Sequence, residues 1–344
     1  MLYNQSLNSY YFKSEWKENY TANLIQIDLM LLDVEIKDHN GVVTNRDIEM
    51  PYLAFLKHMA IAGQGYFPTL RSPPFIRKYH RFFSMRQRYK EYIDRNTYQN
   101  SAFSEPSSIF SNPSEKAEFS RIAGYAIADY LTRRIDGALI SFNYEAVLKI
   151  LRIPISRRPD LLCYNPDGPF SVETKGLERR SVNSTDMKEH KKQAKSGPYP
   201  VNFFIASVAY SLYNNVKVKY HDPKNEDFNN DQDLLTRISK RYYQEIKQLL
   251  ESGLFEIDLK YINNREYFSL SFKKSIHSGI LFKNHIMVPL FPIKYDAFLD
   301  RFSILIDKIC LKYAKKGIED FELKPYYSKE KIYIDSDGIG LMLK

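Results

Sequence analysis

The sequence has 344 residues, enough for one large domain or for two domains of about 100 to 200 residues each. Apolar residues make up 44% and charged residues 26%, which excludes a disordered or fibrous chain. Two cysteines cannot form a disulfide framework, and no stretch approaches the roughly 18 apolar residues that cross a bilayer. Because the first residues also lack a signal-peptide pattern, we predict a cytoplasmic protein that does not bind membranes.

The net charge of +9 is concentrated in two segments. Residues 71–100 carry eight basic residues against two acidic ones, and residues 152–195 carry ten against six, so these segments account for the whole excess. A concentrated positive field is expected of a surface that binds a polyanion, whereas solvated helix faces are the alternative. The candidate nucleic-acid-binding residues in these segments are Arg77, Arg81, Arg86, Arg88, Arg157, Arg158, Arg179, Arg180, Lys188, Lys191, Lys192 and Lys195.

The predicted elements begin with a strand over residues 23–36, where apolar residues alternate. Pro51 precedes a helical pattern over residues 52–61. The basic stretch then predicts a helix over residues 75–92, with its aromatic side chains facing the core and its arginines exposed. A segment rich in Ser, Pro and Asn at residues 100–114 is the best candidate for a domain boundary.

After this segment, Ser114 is expected to cap a helix that ends near residue 135. The short apolar runs that follow predict strands at 138–144, 160–164, 170–175, 201–210 and 216–220, with a helix at 186–196. The C-terminal part predicts helices at 234–250 and 295–315 and a hairpin at 254–272. We therefore predict an α/β core at residues 115–225 between α+β regions at residues 1–114 and 226–344.

The most informative segment spans residues 157–176 and predicts a hairpin with its turn at Asn165-Pro-Asp-Gly. Residues two apart in a strand share a face, so Glu173 and Lys175 point the same way. If Cys163 pairs with Phe170, then Asp160 lies opposite Glu173. A slip of one residue would separate the two carboxylates.

Two carboxylates can hold a magnesium ion, with water and a substrate phosphate as the remaining ligands. A metal-bound water is more acidic than bulk water, and a nearby ammonium group can stabilise charge that grows on a phosphate. The segment therefore suggests metal-dependent hydrolysis of a phosphodiester. A surface hairpin with salt bridges is the alternative, because an acid two residues before a lysine is common in this chain, as in Glu245-Ile-Lys247 and Asp258-Leu-Lys260.

The order of these elements and the signature Pro159-Asp160 followed by Glu173-Thr174-Lys175 resemble the PD-(D/E)XK nuclease superfamily. The resemblance covers about 100 residues and implies a restriction-endonuclease-like core: a helix bearing a glutamate, a strand, the signature hairpin, a second helix and further strands. It implies that Asp160, Glu173, the carbonyl of Thr174 and Glu118 bind Mg²⁺, with Mn²⁺ as a substitute, and that Lys175 is the catalytic lysine.

On this basis we expect a restriction-like or phage-defence endonuclease that cuts DNA, as a homodimer or with a partner protein. The alternatives are a nucleic-acid-binding subunit of a larger defence or recombination complex with weak cleavage, and a nuclease that acts on RNA. Glu118 is also compatible with an ordinary solvated charge. Some branches of the superfamily place a tyrosine four residues after a glutamine on the second helix, but here Gln193 is followed at that distance by Gly197.

Overall fold

The computed structural model describes residues 29–62, 88–106, 112–155, 157–221, 232–253, 255–272, 302–319, 326–327 and 331–344. Its helices are α1 (Tyr52–Ile61), α2 (Arg95–Gln99), α3 (Pro113–Ile135), α4 (Tyr144–Leu151), α5 (Ser184–Ala194), α6 (Gln232–Glu251) and α7 (Cys310–Lys316). The strands of the first sheet are β1 (Leu29–Lys37), β2 (Val43–Pro51), β3 (Ile140–Asn143), β4 (Leu161–Asn165), β5 (Gly168–Gly176), β6 (Phe203–Tyr210) and β7 (Lys217–His221). Those of the second are β8 (Phe255–Ile262), β9 (Arg265–Phe272), β10 (Phe302–Asp307), β11 (Tyr326–Tyr327), β12 (Ile332–Ile334) and β13 (Ile339–Leu343).

The first sheet has seven strands in the order β2-β1-β7-β6-β5-β4-β3. Strands β3, β4 and β5 are antiparallel, whereas β6 is parallel to β5 and β1 is parallel to β7. The expectation of a mixed sheet flanked by helices is therefore confirmed. Because β1 and β2 join this sheet through β7, the sheet continues across the boundary predicted near residue 114.

Several predicted elements agree with the structure. Helix α1 has the predicted bounds, β1 contains the described part of the first predicted strand, and α6 covers the predicted helix at 234–250. Most of the basic helix predicted at 75–92, with Arg77, Arg81 and Arg86, lies outside the described residues. Both cysteines are buried and free.

Three local predictions were wrong. Residues 302–307 form strand β10 rather than part of a helix, because they pair with β9 on one side and with β13 on the other. The cap of helix α3 is Asn112, two residues before the predicted cap Ser114. The side chain of Asn112 accepts a hydrogen bond from the backbone N–H of Ser114. The strand predicted at 138–144 ends at Asn143, which caps α4, so Tyr144 begins that helix and Glu145 lies in its first turn.

The hydrophobic core lies on both faces of the first sheet. On one face, α1 and α3 bury side chains such as Phe119 and Ile127 against Val172 and Ile205 of the sheet. On the other face, α4 packs beside α6 and α7, and α5 covers a smaller cluster that includes Val208. Strands β4 and β5 therefore cross the middle of the molecule with helices on both sides.

The second sheet has the strand order β11-β12-β13-β10-β9-β8. Strands β8 and β9 form the predicted hairpin, which turns at Asn263 and Asn264 with φ angles of 47° and 59°. Asparagine tolerates this left-handed conformation better than most residues, which explains the pair at a two-residue hairpin turn.

A fully buried cluster of charged side chains connects this sheet to α1 and α3. The turn between β12 and β13 brings in two aspartates: Oδ2 of Asp335 lies 2.9 Å from Nε of Arg133, and Oδ2 of Asp337 lies 2.9 Å from Nζ of Lys57. The members of the charge cluster are Lys57, His58, Asp129, Arg133, Asp335 and Asp337. Burial alone would raise the pKa of Asp335, but Arg133 and Lys57 outweigh it and hold that pKa below its ordinary value. The cluster is therefore a set of mutually compensating ions.

Candidate active site

The hairpin formed by β4 and β5 has the predicted register. Cys163 pairs with Phe170 and Leu161 pairs with Val172, and the backbone N–H of Asp160 donates to the carbonyl of Val172 at 3.0 Å. Asp160 therefore lies one position before the Leu161–Val172 pair, at the open end of the hairpin, where its carboxylate contacts Thr174. The turn residues are Pro166 and Asp167, between the last pair Asn165 and Gly168.

Glu173 is fully buried in the middle of the sheet, between β4 and β6. Its Oε1 accepts a hydrogen bond from Nζ of Lys175, whereas Oε2 is buried and has no hydrogen-bond partner among the described residues. Burial, followed by the negative charge of Asp160, raises the pKa of Glu173 from an ordinary 4.5 to about 8, although Lys175 opposes the shift. An unsatisfied buried carboxylate oxygen is costly, so Oε2 is a position where a cation could bind.

Asp160 is held by three hydrogen bonds. The hydroxyl of Tyr125 donates to Oδ1, and the backbone N–H and hydroxyl of Thr174 donate to Oδ2 at 2.9 and 3.0 Å. A carboxylate has about four lone-pair sites, so one remains available for a further ligand. Burial and the charge of Asp160 both raise the pKa of Tyr125, which keeps this phenol protonated.

Tyr125 reaches Asp160 because α3 lies directly against the end of β5. A Cβ on Gly176 would lie 1.8 Å from the backbone oxygen of Ser120, and a Cβ on Gly124 would lie 2.4 Å from the backbone nitrogen of Gly176. Only glycine at both positions permits this approach. Tyr125 was not predicted as a site residue, although it lies seven positions after Glu118 and so on the same helix face.

A pocket of about 220 Å³ opens beside Asp160. Its lining residues are Tyr125, Asn143, Glu145, Arg158, Pro159, Asp160 and Gln193. Arg158 forms an ion pair with Glu145, and its carbonyl accepts a hydrogen bond from Nε2 of Gln193 at 3.5 Å. Gln193 and Glu145 therefore lie at the edge of the site.

Glu118 does not join the two carboxylates. Its Oε2 lies 2.9 Å from the guanidinium of Arg88. On α3 it is seven residues from Tyr125, which corresponds to about 10 Å along the helix axis. The helix instead presents Tyr125 to Asp160, while a metal-binding role for Glu118 stays a prediction.

The predicted basic residues surround the site at different degrees of exposure. Arg179 forms an ion pair with Asp186 at 2.6 Å, and Arg157 lies 4.0 Å from Glu189. The exposed cationic residues near the hairpin and on or just after α5 are Arg157, Arg179, Arg180, Lys188, Lys192 and Lys195, while Arg158 and Lys191 are half-buried. We refer to these exposed cationic residues, which lie on or near β5 and α5, as the basic surface.

His190 on α5 is a further neighbour that the sequence did not indicate. Burial lowers its pKa, and the positive charge of Lys175 lowers it further. The histidine is therefore neutral near pH 7. No spacing of histidines in the sequence pointed to this position, because the contact arises only when α5 packs against β5.

The donor set of the site fits a small hard cation. Asp160 has one free lone-pair site and Glu173 has an oxygen without a hydrogen-bond partner among the described residues, and Mg²⁺ is commonly held by one or two carboxylates with water and phosphate oxygens. The described part of the chain contains no group of three or more His, Cys, Asp or Glu side chains that could hold a metal. A bound Mg²⁺ would therefore depend on non-carboxylate ligands for most of its octahedral shell.

Within the described ranges, no helix is both long enough and apolar enough to cross a membrane. Comparison of the chain with protein-family models, with curated proteins and with solved structures finds no match.

Proposed function

We propose that this protein is a metal-dependent endonuclease with a PD-(D/E)XK active site that hydrolyses phosphodiester bonds in DNA. The observation that carries the proposal is the joint placement of Asp160, Glu173 and Lys175 at the open end of one hairpin. The buried Oε2 of Glu173 supports it, because a cation would satisfy that atom. A restriction-like or phage-defence role follows from the resemblance of the signature.

Each residue has a chemical task in this proposal. Asp160 and Glu173, with the carbonyl of Thr174, hold the ion, and a bound Mg²⁺ supplies an acidified water and neutralises phosphate charge. Tyr125 and the Thr174 hydroxyl orient Asp160. Lys175 is about one-third exposed, so its ammonium group can reach a substrate phosphate while it still contacts Glu173.

The chain order around the site supports a restriction-endonuclease-like core. Helix α3 precedes β3, then the hairpin of β4 and β5, then α5 and β6, which is the order that the resemblance implies. The structure adds α4 between β3 and the hairpin. The basic surface provides contacts for a phosphate backbone.

A nucleic-acid-binding subunit with weak or partner-dependent cleavage is the second candidate. Glu173 with a pKa near 8 is largely protonated at neutral pH, and a protonated carboxyl is a poor metal ligand. Among the described residues, no third acidic side chain joins Asp160 and Glu173 in a metal-binding group. Both features favour an enzyme that becomes fully active only when substrate or a partner completes the site.

The test is incubation of the purified protein with plasmid, linear duplex DNA, single-stranded DNA and RNA, with Mg²⁺, with Mn²⁺ and with chelator. We expect metal-dependent nicking or linearisation of plasmid, abolished in Asp160→Ala, Glu173→Ala and Lys175→Ala. The triple variant is expected to be little worse than each single one, because groups that act as a unit are not additive. Lys219→Ala is the matched control, since this lysine lies on β7 and pairs with Glu35.

Two results would redirect the proposal. Tight duplex binding without cleavage under any metal condition supports the binding subunit, and cleavage of RNA alone supports the RNA-directed nuclease. Full cleavage by Lys175→Ala in Mg²⁺ contradicts the proposed role of the lysine.

A further inference from the structure

Strand β8 lies at the end of the second sheet's strand order and carries an exposed apolar stripe. Within the described residues it pairs only with β9. Three large apolar side chains on one face of β8 are exposed: Ile257 by 42%, Leu259 by 54% and Tyr261 by 72%. A long, exposed apolar strand at a sheet edge is a template for pairing with another strand.

The exposed stripe continues a face that is buried elsewhere in the same sheet. Ile257 and Leu259 pair with Leu270 and Phe268 of β9, and both β9 residues pack in the core cluster under α6. The apolar face therefore extends one strand beyond the cover that α6 provides. Burying the exposed apolar side chains of β8 requires a further strand and further apolar side chains.

The opposite face of β8 carries charges of both signs. Glu256, Asp258 and Lys260 are all exposed and alternate with the apolar stripe. Asp258 and Lys260 lie symmetrically on either side of Leu259. An antiparallel strand of identical sequence can therefore meet this strand with opposite charges facing each other.

We propose that β8 is the dimer interface of this protein, where β8 of a second copy pairs antiparallel about a two-fold axis at Leu259. In this register Asp258 of each copy lies opposite Lys260 of the other. Ile257 lies opposite Tyr261, and Leu259 lies opposite Leu259. The two six-stranded sheets join into one continuous sheet, and the apolar stripes of both copies lie side by side on one face of it.

The charges select this register over its neighbours. Two-fold pairing about Asp258 places the two Asp258 carboxylates opposite each other, and pairing about Lys260 does the same with two ammonium groups. Like charges directly opposite each other destabilise a strand pair, and opposite charges stabilise it. The axis at Leu259 is the choice among these three that has two attractive pairs and no repulsive one.

The proposal does not depend on nuclease activity, and its test measures association alone. Sedimentation velocity of the 344-residue protein over about a hundredfold range of concentration should show a reversible monomer–dimer equilibrium. Asp258→Lys places lysine opposite lysine, and Lys260→Asp places aspartate opposite aspartate. Each variant should weaken dimerisation at least tenfold, by about 1.4 kcal/mol or more.

Restoration of the charge pattern makes the test specific. An equimolar mixture of Asp258→Lys with Lys260→Asp should form a heterodimer, because both of its cross-strand pairs are again attractive. The double variant Asp258→Lys/Lys260→Asp should recover the homodimer. Glu256→Lys is the control, because the proposed register places this residue opposite Ile262 and its reversal should leave the equilibrium within about threefold of the native value.

All six residues, the three of the stripe and the three charges that alternate with them, are exposed, so these variants should fold, which circular dichroism checks. A chain that stays monomeric throughout the concentration range overturns the proposal. So does a dimer that neither single charge reversal weakens, since its interface would then lie elsewhere. A mixture of the two single variants that remains monomeric contradicts the register.

Discussion

The hydroxyl of Tyr125 on α3 donates a hydrogen bond to Oδ1 of Asp160, the first acid of the signature hairpin. The two residues are 35 positions apart, and a close glycine-to-glycine contact between α3 and β5 brings them together. In this arrangement a helix outside the hairpin determines the orientation of a carboxylate in the proposed metal site. Tyr125 is thus a positioning residue.

We expect Tyr125→Phe to raise the Mg²⁺ concentration needed for half-maximal cleavage by about 10- to 100-fold, the usual cost of removing a partner of a metal ligand. Because the ring remains, the packing of α3 should be unchanged. Saturating Mg²⁺ should restore most of the rate. Tyr213→Phe is the matched control, since its hydroxyl contacts only Ser120 at 3.3 Å among the partners that the described residues provide. An unchanged Mg²⁺ requirement contradicts the positioning role.

The raised pKa of Glu173 predicts that metal affinity depends on pH. Below a pKa of about 8 the carboxyl is protonated, so binding of Mg²⁺ must release a proton. We expect the affinity to rise by up to about tenfold per pH unit below pH 8 and to level off above it. Isothermal titration calorimetry in buffers of different ionisation enthalpy measures the proton release directly. Glu173→Gln should bind weakly and release no proton.

The same shift has a consequence for the stability of the metal-free protein. A carboxyl whose pKa is higher in the folded than in the unfolded state stabilises the fold at low pH. This contribution is complete below the ordinary value of 4.5 and is lost as the pH rises through about 8. The melting temperature of the metal-free protein should therefore fall over this range, less so in Glu173→Gln. Equal pH profiles for both proteins would show that Glu173 does not titrate there.

The basic surface predicts salt-dependent DNA binding. Replacing Arg180, Lys188 and Lys192 by glutamine should lower the slope of log K against log salt by up to about 0.9 for each phosphate that the variant no longer neutralises. Fluorescence anisotropy with a duplex in chelator measures binding without cleavage. Lys315→Gln/Lys316→Gln on α7 is the control, because these lysines are exposed and lie outside the predicted basic segments. If the two sets of substitutions change the slope equally, DNA binding is not localised to the basic surface.

Removal of one partner from the charge cluster is expected to be strongly destabilising. Asp335→Ala leaves Arg133 and Lys57 buried with one fewer anion, so the free energy of unfolding in urea should fall by about 3 to 5 kcal/mol. Asp33→Ala is the control, because the exposed pair of Asp33 with Lys217 should contribute less than about 1 kcal/mol. A small effect of Asp335→Ala would mean that water reaches the cluster.

The close packing of α3 on β5 predicts that Gly176 tolerates no side chain. Gly176→Ala should lower the free energy of unfolding and also weaken Mg²⁺ binding, because its Cβ overlaps Ser120 and must push α3 and Tyr125 away. Gly253→Ala is the comparison. Its Cβ meets no atom within 4 Å, so only the left-handed backbone at φ 71° opposes it, at a cost of about 1 to 2 kcal/mol. Metal binding by that variant should be unchanged.

The sequence was most informative where structure is local. The short apolar runs and the Asn-Pro-Asp-Gly turn between them predict the register of β4 and β5 from about 15 residues, and the pairing of Cys163 with Phe170 confirms it. Tyr125 could not be predicted as its partner, because that contact depends on how closely α3 approaches the sheet. Residues 302–307 were read as helix because their apolar run fits either element, and only pairing with β9 and β13 decides for a strand.

The charge cluster also constrains the order in which the protein folds. Lys57 lies 278 residues before Asp335, and Arg133 lies 203 residues before Ser336, which its guanidinium also contacts. During synthesis, α1 and α3, with Asp129, are complete long before the other two anions of the cluster, Asp335 and Asp337, exist. Full charge compensation between these helices therefore waits until the β12–β13 turn has been made. Contacts between residues so far apart in the sequence slow folding and prolong the exposure of the apolar sheet faces. We therefore expect folding on the ribosome to occur late and in one step, rather than progressively from the N-terminus.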